Sequence, residues 1–248
     1  MRRLTDHLQF QTSYTFGKSL DNRSGTSGRQ EYSNGQARTF DPYNLNFDRS
    51  RSDFDVRHSF VANLSYDLPL GNATKGAARQ LLAGWQLNAI VTLSSGVPFG
   101  VIVDGDPDRD RSDDNAQRPN LIPGVSLVPS GGRTPEHWFN LSAFAAPVVG
   151  FRGTAGRNII DGPDFKSVDF SLVKHFRIDE KRSLQFRAEV FNLLNRANFD
   201  LPSNSEDGEQ VFTFNATTGT FSATPGRGQL FSTVGDSREI QFGLKFIF

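Results

Sequence analysis

Cysteine is absent from the 248 residues, which excludes a disulfide framework and a thiolate metal site. Charge of one sign is absent too: 27 Lys and Arg balance 27 Asp and Glu. No basic run is present to follow a phosphate backbone, so nucleic acid is excluded as an expected partner. Nowhere do the roughly 20 consecutive apolar residues of a transmembrane helix occur. The opening residues from Met1 to Phe10 hold neither the apolar core nor the small-residue cleavage site of a secretion signal. Taken alone, these absences describe a water-soluble cytoplasmic protein. What the chain has in plenty contradicts them. It carries 23 Phe and 23 Gly at a mean hydropathy of −0.44, so its aromatic residues must be interleaved with polar ones.

That interleaving has period two, which places residues i, i+2 and i+4 on one face of a strand. In the last segment Ile240, Phe242, Leu244, Phe246 and Phe248 oppose Glu239, Gln241, Gly243, Lys245 and Ile247. The same alternation runs through Leu8 to Phe16, Val56 to Tyr66, Trp85 to Ser94, Val168 to Val173 and Leu184 to Val190. Each segment has about the 9–11 residues of a membrane-spanning strand. The expected fold class is therefore all-β: an antiparallel meander of about six transmembrane strands near 4–17, 53–67, 83–96, 165–177, 182–195 and 237–248.

The connections alternate as well. Those near 68–82 and 177–182 are short, whereas those near 18–52, 97–162 and 196–235 are long, polar and rich in Gly, Asp, Asn, Ser and Pro. Three long structureless loops are rare in a compact soluble domain. In an outer-membrane barrel, long extracellular loops opposite short periplasmic turns are the rule. The polar face then lines a lumen and the apolar face meets lipid. Tyr14, Phe16, Tyr66, Trp85, Phe176 and Phe248 lie near strand ends, where interfacial aromatic girdles belong, and charged residues are expected only on the lumen side. The alternative is a secreted β-sandwich binding a carbohydrate or protein, whose strands alternate because one face packs and the other is wet.

The closing residues Gln241, Gly243, Phe246 and Phe248 are similar to the C-terminal signal read by the barrel-assembly machinery. A free final edge offers backbone groups for strand addition, and an aromatic row suits a partner groove. More widely, "QFQTSYTFGKSLDN", "SDFDVRHSFVANLSYDLPLG", "GWQLNAIVTLSSGVPF", "FRGTAGRNIIDGPDFKSVDFSLVKHF", "LQFRAEVFNLLNRANFDLP" and "FGLKFIF" resemble the barrel of TonB-dependent outer-membrane receptors. The resemblance points to the Oar-like group, whose members begin with a carboxypeptidase-regulatory-like domain. It implies a 22-stranded barrel enclosing a plug, energised by TonB and taking part in nutrient uptake. Outer-membrane lipid, the assembly machinery and TonB, acting through a plug that lies outside these residues, are the implied partners. Six strands cannot close such a barrel, and an open sheet leaves two edges that lipid does not tolerate. The chain is accordingly expected to be the C-terminal part of a longer receptor, with Met1 as its sole methionine.

Residues with metal or catalytic chemistry are few. Asp104, Asp106, Asp108 and Asp110 alternate, followed by Asp113 and Asp114, and such oxygen-rich loops suit Ca²⁺. The pattern departs from an EF-hand: Arg109 replaces the turn glycine and Asn115 the bidentate glutamate. Interspersed Arg109 and Arg111 oppose a cation, so a solvated loop is the competing reading. His7, His58, His137 and His175 are scattered, no Gly-x-Ser-x-Gly elbow occurs, and Arg187 with Glu189 reads as lumen lining rather than a hydrolytic pair. No enzyme activity, catalytic residue or cofactor is expected; a glycosidase-like β enzyme is the most distant of the function classes. Tyr32, Phe40, Tyr43, Trp138 and Phe139 on the long connections are expected to be exposed and available to a ligand.

Overall fold

A computed structural model describes residues 2–3, 7–22, 24, 44–71, 73–109, 116–202 and 208–248. Period-two alternation produces strands wherever it occurs. The six long ones are β1 (Leu8–Phe16), β2 (His58–Asp67), β3 (Trp85–Ser94), β4 (Phe165–Arg177), β5 (Ser183–Phe191) and β6 (Glu239–Ile247). They form one sheet in chain order, antiparallel throughout, with the pair Arg2–Arg3 added outside β1. The sheet is open: β6 bonds only to β5, and no pairing joins it to β1.

Register fixes the faces. One continuous row runs Phe10, Leu64, Ala89, Phe170, Val190, Ile240, and the next runs Leu8, Tyr66, Leu87, Leu172, Ala188, Phe242. The intervening row on the other face is Gln9, Ser65, Asn88, Ser171, Glu189, Gln241. A one-residue slip would exchange the faces, so the pattern locks the register. The apolar face is bare: Phe242 and Leu244 are 70% and 71% exposed. A sandwich would cover those residues with a second sheet.

The hydrophobic core lies in the long connections, which corrects the expectation that they are structureless. Phe99, Val101, Phe139, Phe144, Ile160, Leu201 and Val211 pack together there. Edge-to-face contacts link Phe139 to Phe99 and Phe144, with ring centroids 5.9 and 6.0 Å apart, the arrangement the ring quadrupole favours. Strand Val101–Asp104 pairs in parallel with Glu209–Asn215, which in turn pairs with Thr220–Ala223. Close backbone approach tightens this layer. A Cβ on Gly96 would lie 2.1 Å from the Gly162 carbonyl oxygen, and one on Gly153 would lie 1.9 Å from that of Arg118.

Three further expectations need correction. Phe139 is not exposed; it is a core residue of this layer. The connection after β2 is short but contains a helix, α1 (Gly76–Leu82). Charge is not confined to the polar face, because Lys166 and Lys174 occupy apolar-face register positions beside Leu93 and Trp85. Of the other aromatics expected on the loops, Tyr32, Phe40 and Tyr43 lie outside the described residues.

Candidate functional site

Across β4 to β6 the polar wall of the sheet is graded along its length, with Asp67 of β2, in the Arg187 row, outside the gradient. Toward the long connections it carries Asp169 and Glu239, and one row further on Glu189. Toward the short turns come Arg187, then His175 and Lys245, then Arg177. Arg187 and Glu189 meet at 3.0 Å where the two halves join. At the acidic end a cleft of about 330 Å³ is lined by Phe165, Ser167, Asp169, Phe191, Asn198, Asp236 and Glu239. Asn192 forms its floor, receiving the Arg196 amide and donating to the Arg196 and Asp236 carbonyls. Its φ of 48° makes the left-handed turn that ends β5, a conformation Asn tolerates.

The layer above this wall is held by buried charge. Arg157 donates to the carboxylates of Asp21 and Asp53, to the Ser24 hydroxyl and to the Asp48 carbonyl. Asn158 donates to Asp53 at 2.5 Å and to the Arg51 carbonyl at 2.8 Å. Arg118 pairs with Asp48 at 2.8 Å and lies 4.2 Å over the Phe47 ring. Arg51 and Arg133 flank Asp161. These contacts join the connection after β1 to the one after β3, so two chain segments about a hundred residues apart behave as one body.

Burial and pairing pull the carboxyls of this network in opposite directions. Asp53 is pushed above the usual carboxylate value by burial, which outweighs its bonds to Asn158 and Arg157. Burial also acts on Asp21, but there hydrogen bonds from Ser24 and Ser52 and the Arg157 charge prevail and lower it. Asp161 is likewise lowered, burial being outweighed by Arg51 and Arg133. Burial brings Arg118 down to about 10 despite Asp48. The cause in each case is the competition between desolvation and pairing.

The aspartate run is only partly described. Asp104 lies 3.5 Å from the Gln210 amide, Asp106 lies in the following turn, and Asp108 accepts from Arg152 at 3.3 Å. Asp110, Asp113 and Asp114 fall outside the described residues. Among the described residues no three His, Asp or Glu side chains converge as a metal cluster. His58 meets Tyr14 at 2.8 Å and His175 meets Gln185 at 3.3 Å, on separate strands. Trp138 donates to the Asp161 carbonyl and stacks against Arg133.

At the other end of the sheet, Gln241 and Gly243 lie on the polar face opposite Glu189 and Arg187. Phe246 and Phe248 lie on the apolar face, stacked at 6.0 Å, with Phe248 93% exposed. A Cβ on Gly243 would meet Arg187 at an ordinary 3.8 Å, so the sheet itself does not require glycine there.

Sequence reasoning missed the Arg157 network and Lys174. The network's signal was the paired charges of "LDNRS", "DRSRSDFD" and "AGRNIID", which read as ordinary solvated loop, and that of Lys174 was a charge at an apolar position of its strand. Residues 1–241 match the family described as Outer membrane beta barrel domain. No curated protein and no solved structure matches the chain.

Proposed function

The chain belongs to the outer membrane beta barrel domain family and resides in the bacterial outer membrane, and from that premise we propose that it is the receptor wall of a TonB-dependent transporter. In this reading the six strands are part of a 22-stranded barrel with an internal plug, close to the Oar-like group, and the complete protein takes up a nutrient without catalysis of its own. The observation that carries the reading is the asymmetry of the two ends. One end has tight turns and α1; the other carries a packed layer with its own core and a buried charge network. Such a layer holds recognition loops rigid over a wide mouth, where flexible loops would suffice for a simple pore.

The open sheet fits the same reading. Both edges must be paired before the sheet can sit in lipid, because hydrocarbon satisfies no backbone groups. Six strands with no mutual closure are an arc of a larger barrel. The exposed aromatic row of β6, with Gln241 and Gly243 behind it, serves as the assembly signal.

The test is energised uptake by the complete receptor. Cells growing on a nutrient that requires this receptor should stop when TonB is removed or the proton gradient is collapsed, with receptor levels unchanged. Growth that persists without TonB overturns the transporter reading and leaves a passive barrel.

A further inference from the structure

Of the two lysines on the apolar face, Lys174 is the buried one, and the helix beside it explains why. Lys174 stands in the row Trp85, Lys174, Phe186, Leu244, yet is 1% exposed. Its ammonium donates to the Gln80 and Ala83 carbonyls at the end of α1. It also lies 5.3 Å from the Trp85 ring centre and 4.9 Å from that of Phe176. Trp85 adds a bond from its indole nitrogen to the Leu81 carbonyl at 3.0 Å. Lys and Trp thus supply the donors that the last carbonyls of a helix lack, and the cation meets the negative helix end.

The consequence is positional. Both anchors project from the apolar face, so α1 is pinned on the lipid side of the wall at the short-turn end. At about 100° per residue, Ala77, Ala78, Leu81 and Leu82 form one stripe and Arg79 and Gln80 the opposite one. The stripe is open to its surroundings: Leu81 is 65% and Leu82 45% exposed. Lys75 and Arg79 are exposed beside it.

We propose that α1 is a phospholipid-binding element of the leaflet at the short-turn end, with Leu81 and Leu82 among the acyl chains and Lys75 and Arg79 on the phosphates of anionic headgroups. Continuity selects this occupant: the stripe extends the face that already meets lipid in an outer-membrane barrel, and Trp85 sits where the aromatic belt marks the interface. The charge matches, since the helix carries Arg79, is capped by Lys75 and has no acidic residue. A short amphipathic helix with basic flanks lies in the interface plane rather than across the bilayer.

The test uses the complete receptor in vesicles of phosphatidylcholine, with or without phosphatidylglycerol. A spin label on Leu81→Cys, or on Leu82→Cys should the first variant assemble poorly, should be reached by oxygen and shielded from a water-soluble nickel complex. A label on Val148→Cys in the long connections should show the reverse. Separately, Lys75→Gln and Arg79→Gln should each reduce the preference for spin-labelled phosphatidylglycerol over phosphatidylcholine roughly fivefold, the scale for one basic residue at an anionic surface. Nickel access at position 81 equal to that at 148 overturns the proposal. So does lipid access that falls as protein concentration in the vesicle rises, because a second copy would then be the occupant. Unchanged lipid preference in both Gln variants removes the headgroup role.

Discussion

Replacing Arg157 with methionine keeps an aliphatic stem and removes the charge and all five donors. The Asp53 carboxylate, in a residue 4% exposed, would then lose its nearest cation and keep its bond from Asn158, while Asp21 would lose its ion pair. Breaking a buried pair by removing one partner costs about 3–5 kcal/mol, because the remaining charge is uncompensated. The loss should stay in the layer, since the Arg157 side chain bonds to Asp21, Ser24, Asp48 and Asp53, all outside the six long strands. Hydrogen exchange should therefore quicken at the Ser52 and Asp55 amides, which bond to Ser19 and Ser52 carbonyls, by roughly a hundredfold or more, as about 1.4 kcal/mol is a factor of ten. Amides of β4 and β5 should exchange as before. Arg157→Lys keeps the charge but not the planar fork, and should fall between. Wild-type exchange at Ser52 and Asp55 in Arg157→Met would refute the claim that this network holds the two connections together.

The same layer should open in acid with a definite sign. Asp21 and Asp161 are lowered from the ordinary 3.8, so their stabilisation is complete above that value and is lost as pH falls below it. Asp53 is raised, so its protonation on the way down favours the folded layer; loop exchange measured from pH 6 to 3 should stay slow until below about 4, and opening already near pH 5 would contradict this. Phe139→Ala, which empties the centre of two edge-to-face contacts, should cost about 3–5 kcal/mol and expose the connections to protease while the strands remain intact. In the outer-membrane protein, Phe248→Asp places a carboxylate near the interface at a cost of roughly 0–1 kcal/mol. That is too little to unfold a barrel, so a severe fall in outer-membrane protein would indicate failed assembly, and normal levels would remove β6 as the signal.

What was legible in the sequence was local. A strand with one lipid face writes its period directly, and the residue pairs Leu87 with Leu172 or Phe186 with Leu244 follow once neighbours pair in order. The loop layer wrote no period. Its core gathers Phe99, Phe139, Ile160 and Val211 from short, widely separated segments, and its parallel ladder joins Val101 to Glu209, a separation no local pattern reveals. Phe139 looked like an exposed aromatic because its neighbours His137, Trp138 and Asn140 are polar. Lys174 broke the apolar alternation for a reason held in α1, a seven-residue helix too short to announce itself within the connection. The aspartate run shows the converse: a pattern strong in the sequence in which Asp104 bonds to Gln210 and Asp108 to Arg152.

The central claim is that the apolar face of the six strands meets lipid and the polar face meets water. A spin-label scan along β6 in the membrane-embedded protein, from Ile240 to Lys245, tests it most directly. The account predicts strict alternation: Ile240, Phe242 and Leu244 reached by oxygen and shielded from an aqueous nickel complex, and Gln241, Gly243 and Lys245 reached by nickel. If Phe242 and Leu244 were shielded from both, a second protein layer would cover that face and the membrane-wall account would fail.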